Sequence, residues 1–137
     1  MDYVFELAFK VRDYECDIQG IVNNAVYQNY LEHTRPEFLE KVGMNFSKMH
    51  AEGIDAMVIR IEMDYKFPLK SGDEFVCKLN TSRDSNLKFV FHQDIFRVPD
   101  NKLILTAKVI AACLNIKTGR PVAPQELVAL FDKTTLS

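Results

Sequence analysis

The chain has 137 residues, enough for one domain with a single core and too few for two. Its 17 Lys and Arg residues against 19 Asp and Glu residues give a net charge of −2, so it lacks the basic excess that binds nucleic acids or anionic membranes. Hydrophobic residues make up 47% and charged residues 26% of the chain, which is typical of folded proteins and excludes disorder. We therefore expect residues 1–137 to form a single domain that has neither nucleic acid nor membrane as a partner.

Alternation of apolar and polar residues predicts five β-strands. They lie, in chain order, at about residues 3–12, 59–67, 75–79, 87–91 and 103–117. The fifth stretch is apolar on both faces, which is typical of a strand inside a sheet or at a subunit interface.

One long helix is predicted between the first two strands. Apolar residues recur there every three or four positions from residue 27 to residue 42. Asn23 or Asn24 can cap the start of this helix, and Gly43 can end it. Pro36 removes a backbone hydrogen bond, so we expect either a kink or two helices end to end. A short helix is expected after Pro124.

The order of these elements predicts an α+β fold, with an antiparallel sheet wrapped around a single helix. The other face of the sheet needs cover, and the doubly apolar fifth strand suggests that a second copy of the chain provides it. We predict a homodimer, or a dimer of dimers.

The cysteines and the N-terminus favour a reducing compartment. Cys16, Cys77 and Cys113 are odd in number and far apart, which fits neither a disulfide framework nor metal-ligand spacing. Asp2 and Glu6 stand where an export signal would need a basic and then an apolar stretch. We predict a cytoplasmic protein.

Common catalytic motifs are missing from the sequence. It has no glycine-rich phosphate loop, no serine nucleophile elbow and no paired-histidine metal motif. His33, His50 and His92 are isolated from one another, and each is expected to be a surface or strand histidine. The sequence therefore predicts no metal, no organic cofactor and no serine triad.

The segment between the first strand and the helix concentrates acids. Asp13, Glu15 and Asp17 fall within five consecutive positions before the helix, whose first amides carry a partial positive charge. A carboxylate beside Ile18 and Ile21 could act as a nucleophile or a general base, and nearby amides could hold a developing oxyanion. A helix-capping loop of solvated acids is the alternative interpretation of the same residues.

Four motifs follow one another along the chain. They are Asp17-x-x-Gly20-Ile21-Val22-Asn23-Asn24-x-x-Tyr27, Leu31-Glu32-x-x-Arg35, Asp64-Tyr65-x-x-Pro68-Leu69-x-x-Gly72-Asp73 and Thr118-Gly119-Arg120-Pro121-x-x-Pro124. Together they resemble the motifs of hotdog-fold acyl-CoA thioesterases, most closely the 4-hydroxybenzoyl-CoA thioesterase type, over residues 11 to about 127. The resemblance implies a hotdog fold, a five-stranded sheet around one helix, that dimerises with its active sites at the subunit interface.

The resemblance also implies an activity, the hydrolysis of an acyl-CoA thioester to free acid and coenzyme A. By resemblance Asp17 is the catalytic residue, as nucleophile or general base. Oxyanion-binding amides are expected at the helix start or in the second strand of the dimer partner. The residues expected to line the substrate site are Gly20, which we also expect to permit a positive φ, Asn24, Tyr27, Val58 and Ile59.

Other parts of the substrate are assigned more broadly. The acyl chain is expected between helix and sheet, against Phe9 and Tyr30. The expected phosphate contacts of coenzyme A are Arg83, Lys88 and Arg120. Glu32 and Arg35, three apart on the helix, are expected to form a structural pair.

One departure from the family pattern concerns histidine. Many relatives carry histidine where this chain has Ile21 or Asn24, so Asp17 must act here without that partner.

Two alternatives share the same fold and pocket, an acyl-acyl carrier protein thioesterase and a non-catalytic acyl-thioester binding protein. A hotdog hydratase is less favoured, because His33, the only histidine in the predicted long helix, lies off the face of Tyr27.

Overall fold

An antiparallel sheet and one long helix form the framework of the structure. The computed structural model describes residues 2–136, with side chains through residue 132. No helix within these residues is long and apolar enough to cross a membrane. The elements are β1 (Phe5–Lys10), a 3-10 turn (Asp13–Glu15), α1 (Asn24–Lys41), α2 (Phe46–Ala51), β2 (Ile54–Tyr65), β3 (Glu74–Ser85), β4 (Lys88–Val98), β5 (Lys102–Asn115), β6 (Pro121–Val122) and α3 (Gln125–Leu136). The predicted α+β architecture is confirmed.

The strand order explains the composition of β5. The order is β1-β3-β4-β5-β2, every pairing is antiparallel, and the short β6 adds to β5. Because β5 lies between β4 and β2, its apolar residues on both faces mark an interior strand, as predicted. The sheet has six strands where five were predicted, the sixth being two residues long.

Several elements differ from the prediction, since β3 (Glu74–Ser85) and β4 (Lys88–Val98) are longer than expected and two further differences lie before and within β2. Strand β2 begins at Ile54, not near residue 59, and the register shifts between Val58 and Arg60. This bulge breaks the alternation on which the prediction depended. Helix α2 was not predicted, because its six residues are too few to show a helical period. Its N-cap, Asn45, accepts a hydrogen bond from the amide of Lys48 at 3.1 Å.

Helix α1 has the predicted caps and continues through Pro36. Asn23 is the N-cap and accepts from the amide of Ala25 at 3.3 Å, and Gly43 follows the last turn with φ 87°. Pro36 lies inside one continuous helix, so of the two expected alternatives, two helices end to end is wrong. Phe38, buried beyond the proline, anchors the last turns in the core and offsets the lost hydrogen bond.

The core is divided into two hydrophobic clusters along α1. One surrounds Tyr27, Tyr30 and Phe75 at the end of the sheet where β1 leads into α1, and the other surrounds Phe38 at the opposite end. Fully buried Gln93 donates to the backbone oxygen of Leu31 at 3.0 Å.

Arg35 has a structural role, but with a different partner from the one predicted. Its Nη1 donates to Oε1 of Gln93 at 3.1 Å, and within residues 2–136 no ion pair joins it to Glu32. Gln93 of β4 is therefore the partner of Arg35, in place of the predicted Glu32.

Candidate active site

Asp17 opens a tight hairpin between β1 and α1. Its amide donates to the backbone oxygen of Ile21 at 2.9 Å, and the amide of Gly20 donates back to the Asp17 oxygen at 3.0 Å. Gly20 has φ 82°, a left-handed conformation that favours glycine, which confirms the predicted reason for this residue. Ile21 also bridges to Lys70, which fastens the hairpin to the segment before β3.

The Asp17 carboxylate is oriented by backbone amides. Its Oδ1 accepts from the amides of Gln19 at 2.9 Å and Ile21 at 3.4 Å. No donor contacts its Oδ2 within residues 2–136, and the residue is exposed. One oxygen is therefore held by the hairpin while the other is available to a water molecule or a substrate.

The predicted apolar flank of Asp17 is only partly present. Ile18 is 104% exposed, so it packs against nothing in the single chain. Ile21 is half-buried. A carboxylate that acts on a thioester needs a drier setting, and this chain alone does not enclose it.

The two neighbouring acids both accept hydrogen bonds, but only Glu15 is partly buried. Glu15 accepts from the amide of Arg12 at 2.8 Å and from the phenol of Tyr30 at 2.9 Å, and Asp13 accepts from the hydroxyl of Ser71. Burial, followed by this contact with Glu15, raises the pKa of Tyr30 well above its usual range. Glu15 therefore has a structural role, whereas Asp13 is exposed, as expected of a solvated charge.

The start of α1 lies beside the end of β2. The Tyr65 phenol donates to the backbone oxygen of Asn24 at 3.2 Å, and the rings of Tyr27 and Tyr65 lie 5.5 Å apart. The Tyr27 oxygen accepts from the amide of Leu69 at 3.0 Å, and burial raises the pKa of this phenol. Tyr27 is thus a core residue, whereas Asn24 is exposed. Within residues 2–136 the backbone N–H of Asn24 has no hydrogen-bond acceptor.

Val58 and Ile59 lie away from this hairpin in the same chain. They are 42% and 50% exposed in the middle of β2. Ile59 is six residues from Tyr65, or roughly 20 Å along the strand. Their amides could reach a substrate at Asp17 only from a second copy of the chain.

The cations predicted to bind phosphates lie at the far end of the sheet. Arg83 is nine residues along β3 from Glu74, or roughly 30 Å from the end that carries Asp17. Its guanidinium forms an ion pair with Asp132 at 3.2 Å and donates to the Asn86 oxygen at 2.7 Å, so its charge is already offset. Exposed Lys88 starts β4 beside it. Arg120, bonded to the end of β5 through its backbone oxygen, lies at that far end too.

A groove between β1 and α1 contains the residues predicted to contact the acyl chain. It has a volume of about 920 Å³ and is lined by Phe9, Tyr30 and His33 among others. The rings of Phe9 and Tyr30 lie 5.5 Å apart, and Phe9 also stacks on Phe75 at 5.1 Å. Asp13 and Glu15 line the same groove, so the groove extends to the acidic segment that precedes Asp17.

The histidines, treated as isolated in the sequence, all have partners. His33 lies 3.8 Å from Glu37, and His92 lies 2.9 Å from the hydroxyl of Ser82. The tightest contact joins Nδ1 of His50 to Oδ1 of Asp55 at 2.6 Å. This pair was missed because its members belong to different elements on either side of the turn at residue 53.

Cys16 precedes Asp17, and its thiol is expected to react slowly. Partial burial and the nearby carboxylates of Asp13 and Asp17 raise the pKa of Cys16, so less of it is thiolate at neutral pH. Iodoacetamide should modify Cys16 more slowly than a cysteine peptide at pH 8, with the rate still rising above pH 9, as followed by mass spectrometry. Faster labelling than the peptide would contradict this.

Comparison with known proteins identifies a matching family and similar relatives. The profile of the Thioesterase-like superfamily matches residues 11–131. A chloroplastic acyl-acyl carrier protein thioesterase of Arabidopsis thaliana is 43% identical over 89% of this chain, which spans only 64% of that relative. The long-chain acyl-CoA thioesterase FadM of Escherichia coli is 28% identical over 83% of this chain and 86% of its own length.

A solved structure shares the whole architecture. A crystal structure from Aquifex aeolicus superimposes with a TM-score of 0.83 at 30% identity, over 93% of this chain and 98% of that one. The hotdog fold is confirmed, while the 4-hydroxybenzoyl-CoA type and the cytoplasmic location stay predictions. From the matched profile and the shared fold, the chain belongs to the thioesterase-like superfamily.

Proposed function

We propose that this protein hydrolyses an acyl thioester with Asp17 as the catalytic carboxylate. The observation that carries the proposal is that only one of the two carboxylate oxygens of Asp17 is hydrogen-bonded to the protein within residues 2–136. Two backbone amides bind Oδ1 and leave Oδ2 available beside the start of α1. Membership of the superfamily supports the same chemistry.

The reaction needs a base or nucleophile and a site for the oxyanion. Asp17 either takes a proton from the attacking water or attacks the carbonyl carbon to form a mixed anhydride. The amide of Asn24 in the first turn of α1 is suited to bind the oxyanion, and each such donor contributes about 3 kcal/mol. The partner's Val58 and the partner's Ile59 are the second candidates for this role.

Acyl-CoA is the proposed substrate. The E. coli relative, covered over most of its length, is named as acting on long-chain acyl-CoA. An acyl-acyl carrier protein is the second candidate, because the plant relative of higher identity is named for it. Both carriers present the same phosphopantetheine thioester to Asp17.

A thiol-release screen tests the proposal and separates the two carriers. Short, long, branched and aromatic acyl groups would be offered on coenzyme A and on acyl carrier protein. We expect release from at least one acyl-CoA, with higher kcat/KM than from the matching carrier-protein thioester. The opposite ratio would favour the second candidate, and binding without release would make the protein a non-catalytic binder.

A homodimer is the assembly expected to complete this site. β2 is an edge strand whose Met57, Val58 and Ile59 are between 42% and 50% exposed, and such edges tend to pair with another chain. We predict an interface of about 1,600 Å² or more. Sedimentation should show a dimer at micromolar concentration, and Ile59→Lys should shift it toward monomer with loss of turnover. A fully active wild-type monomer would contradict this.

A further inference from the structure

His50 and Asp55 form a pair that the proposed reaction has not used. Nδ1 of His50 donates to Oδ1 of Asp55 at 2.6 Å, which leaves Nε2 as the chemically available ring nitrogen. The pair lines a pocket of about 460 Å³ together with Phe46, Ser47 and Ile54. An imidazole held through one nitrogen by a carboxylate is oriented for proton transfer through the other.

Within one chain this pair is too far from Asp17 to take part. Asp55 starts β2 and Tyr65 ends it, so the two are ten residues and roughly 30 Å apart. Tyr65 is the residue that contacts the start of α1 through Asn24. The pair therefore belongs to the opposite end of its own chain.

A two-fold dimer through β2 reverses that separation. Antiparallel pairing of two identical edges is self-complementary, so each residue on one side of the axis meets its counterpart from the other side. If the axis passes through residue 57, 58 or 59, all exposed and apolar, Asp55 of the second copy falls opposite residue 59, 61 or 63 of the first, respectively. The partner's Asp55 then lies opposite a position two to six residues from Tyr65, nearer than Asp55 of the same chain, which is ten residues from Tyr65.

The helices also lie on the required face. Met49 of α2 and Phe38 of α1 belong to the same hydrophobic cluster, so both helices cover the same face of the sheet. An axis perpendicular to a continuous sheet keeps that face on the same side in both copies. Helix α2 of one copy therefore approaches the start of α1 of the other.

From this geometry we infer that the partner's His50, held by the partner's Asp55, is the second catalytic group of the Asp17 site. The inference rests on the proposed thioester hydrolysis.

The assigned step is protonation of the leaving group. Water oxygen bonds to the carbonyl carbon as Asp17 takes a water proton. The carbon–sulfur bond then breaks with its electron pair on sulfur, and the imidazolium of the partner's His50 gives its Nε2 proton to that sulfur. The proton on Asp17 returns to the imidazole through solvent, so the products are the free acid and the thiol.

Single variants give the first readout. His50→Gln is expected to lower kcat about tenfold to a hundredfold with KM changed far less, since the group acts on the leaving sulfur. His50 is exposed, so melting temperature should not change. Lys48→Gln is the control, because Lys48 is another exposed residue of α2 and does not line the pocket that contains His50 and Asp55. Equal loss in both variants, or none in His50→Gln, would overturn the assignment.

Subunit mixing distinguishes action in trans from action in cis. Asp17→Asn and His50→Gln chains would be unfolded in urea and refolded together. Action in trans leaves each mixed dimer with one site that has both residues intact, so random mixing restores about a quarter of wild-type activity. Action in cis leaves no intact site and gives only the mean of the two parents.

The outcomes separate this role from the proposed function. Recovery well above the parental mean supports the assignment. An active wild type without recovery on mixing overturns the role of His50 alone. A wild type that releases no thiol from any carrier overturns the proposed function, and this role with it.

Discussion

Asp17→Asn is expected to lower kcat by about 10² to 10⁴ while KM stays within a fewfold of wild type. Asparagine keeps an oxygen that can accept from the amides of Gln19 and Ile21, so the hairpin should persist. What is lost is the negative charge and the basic Oδ2 beside the start of α1. The measurement is steady-state thiol release on the best substrate from the screen.

The control for Asp17→Asn comes from the same segment. Asp13→Asn removes one negative charge four residues away but keeps an oxygen for the Ser71 hydroxyl. It should retain most of the wild-type kcat. Glu15→Gln is a poorer control, because Glu15 also binds the buried Tyr30 phenol and its loss weakens the fold.

Phe75→Ala is expected to destabilise the protein by about 3 to 5 kcal/mol. Phe75 has no exposed surface, and its ring lies 4.7 Å from Tyr30 and 5.1 Å from Phe9. Alanine leaves a cavity beneath the first turns of α1, where neighbouring rings cannot close in without moving the helix. Urea denaturation at equilibrium measures the change in the free energy of unfolding.

A matched surface substitution shows whether that loss is a core effect. Leu87, in the turn between β3 and β4, is 41% exposed, so Leu87→Ala should change the free energy of unfolding by no more than about 0.5 kcal/mol. Equal losses in Phe75→Ala and Leu87→Ala would mean that Phe75 does not organise the core beneath α1.

Local sequence patterns predicted most of the framework, since each had one clear structural reading. The period of apolar residues and the caps Asn23 and Gly43 located α1. Apolar residues on both faces of β5 predicted its interior position. Short or irregular elements were not predicted. They are α2 and the first part of β2, which precedes the bulge between Val58 and Arg60.

The site was predictable where its residues are consecutive. Asp17, Gly20 and Ile21 belong to one hairpin, so their spacing in the sequence was enough to predict the turn that they form. Contacts between distant elements left no such signal. The bond from Tyr30 to Glu15, the pairing of Arg83 with Asp132 and the contact between His50 and Asp55 depend on how strands and helices pack.

The charge pattern likewise did not show at which end of the sheet the expected phosphate contacts lie. Arg83 and Lys88 are conspicuous in sequence, but antiparallel pairing places them at the end of β3 away from Asp17. They could serve a substrate there only from a second copy. Chain topology, rather than residue type, determines which cations are near the carboxylate.

The most direct test of the central claim asks whether Asp17 carries out hydrolysis rather than binding. Asp17→Asn protein at a concentration above that of its best acyl thioester would be incubated, then separated by rapid filtration, and the bound and free acyl species quantified. We predict intact thioester retained on the variant, under conditions in which wild type and Asp13→Asn convert it to free acid and thiol. Rapid cleavage by Asp17→Asn, or retention of intact thioester by wild type itself, would contradict the assignment.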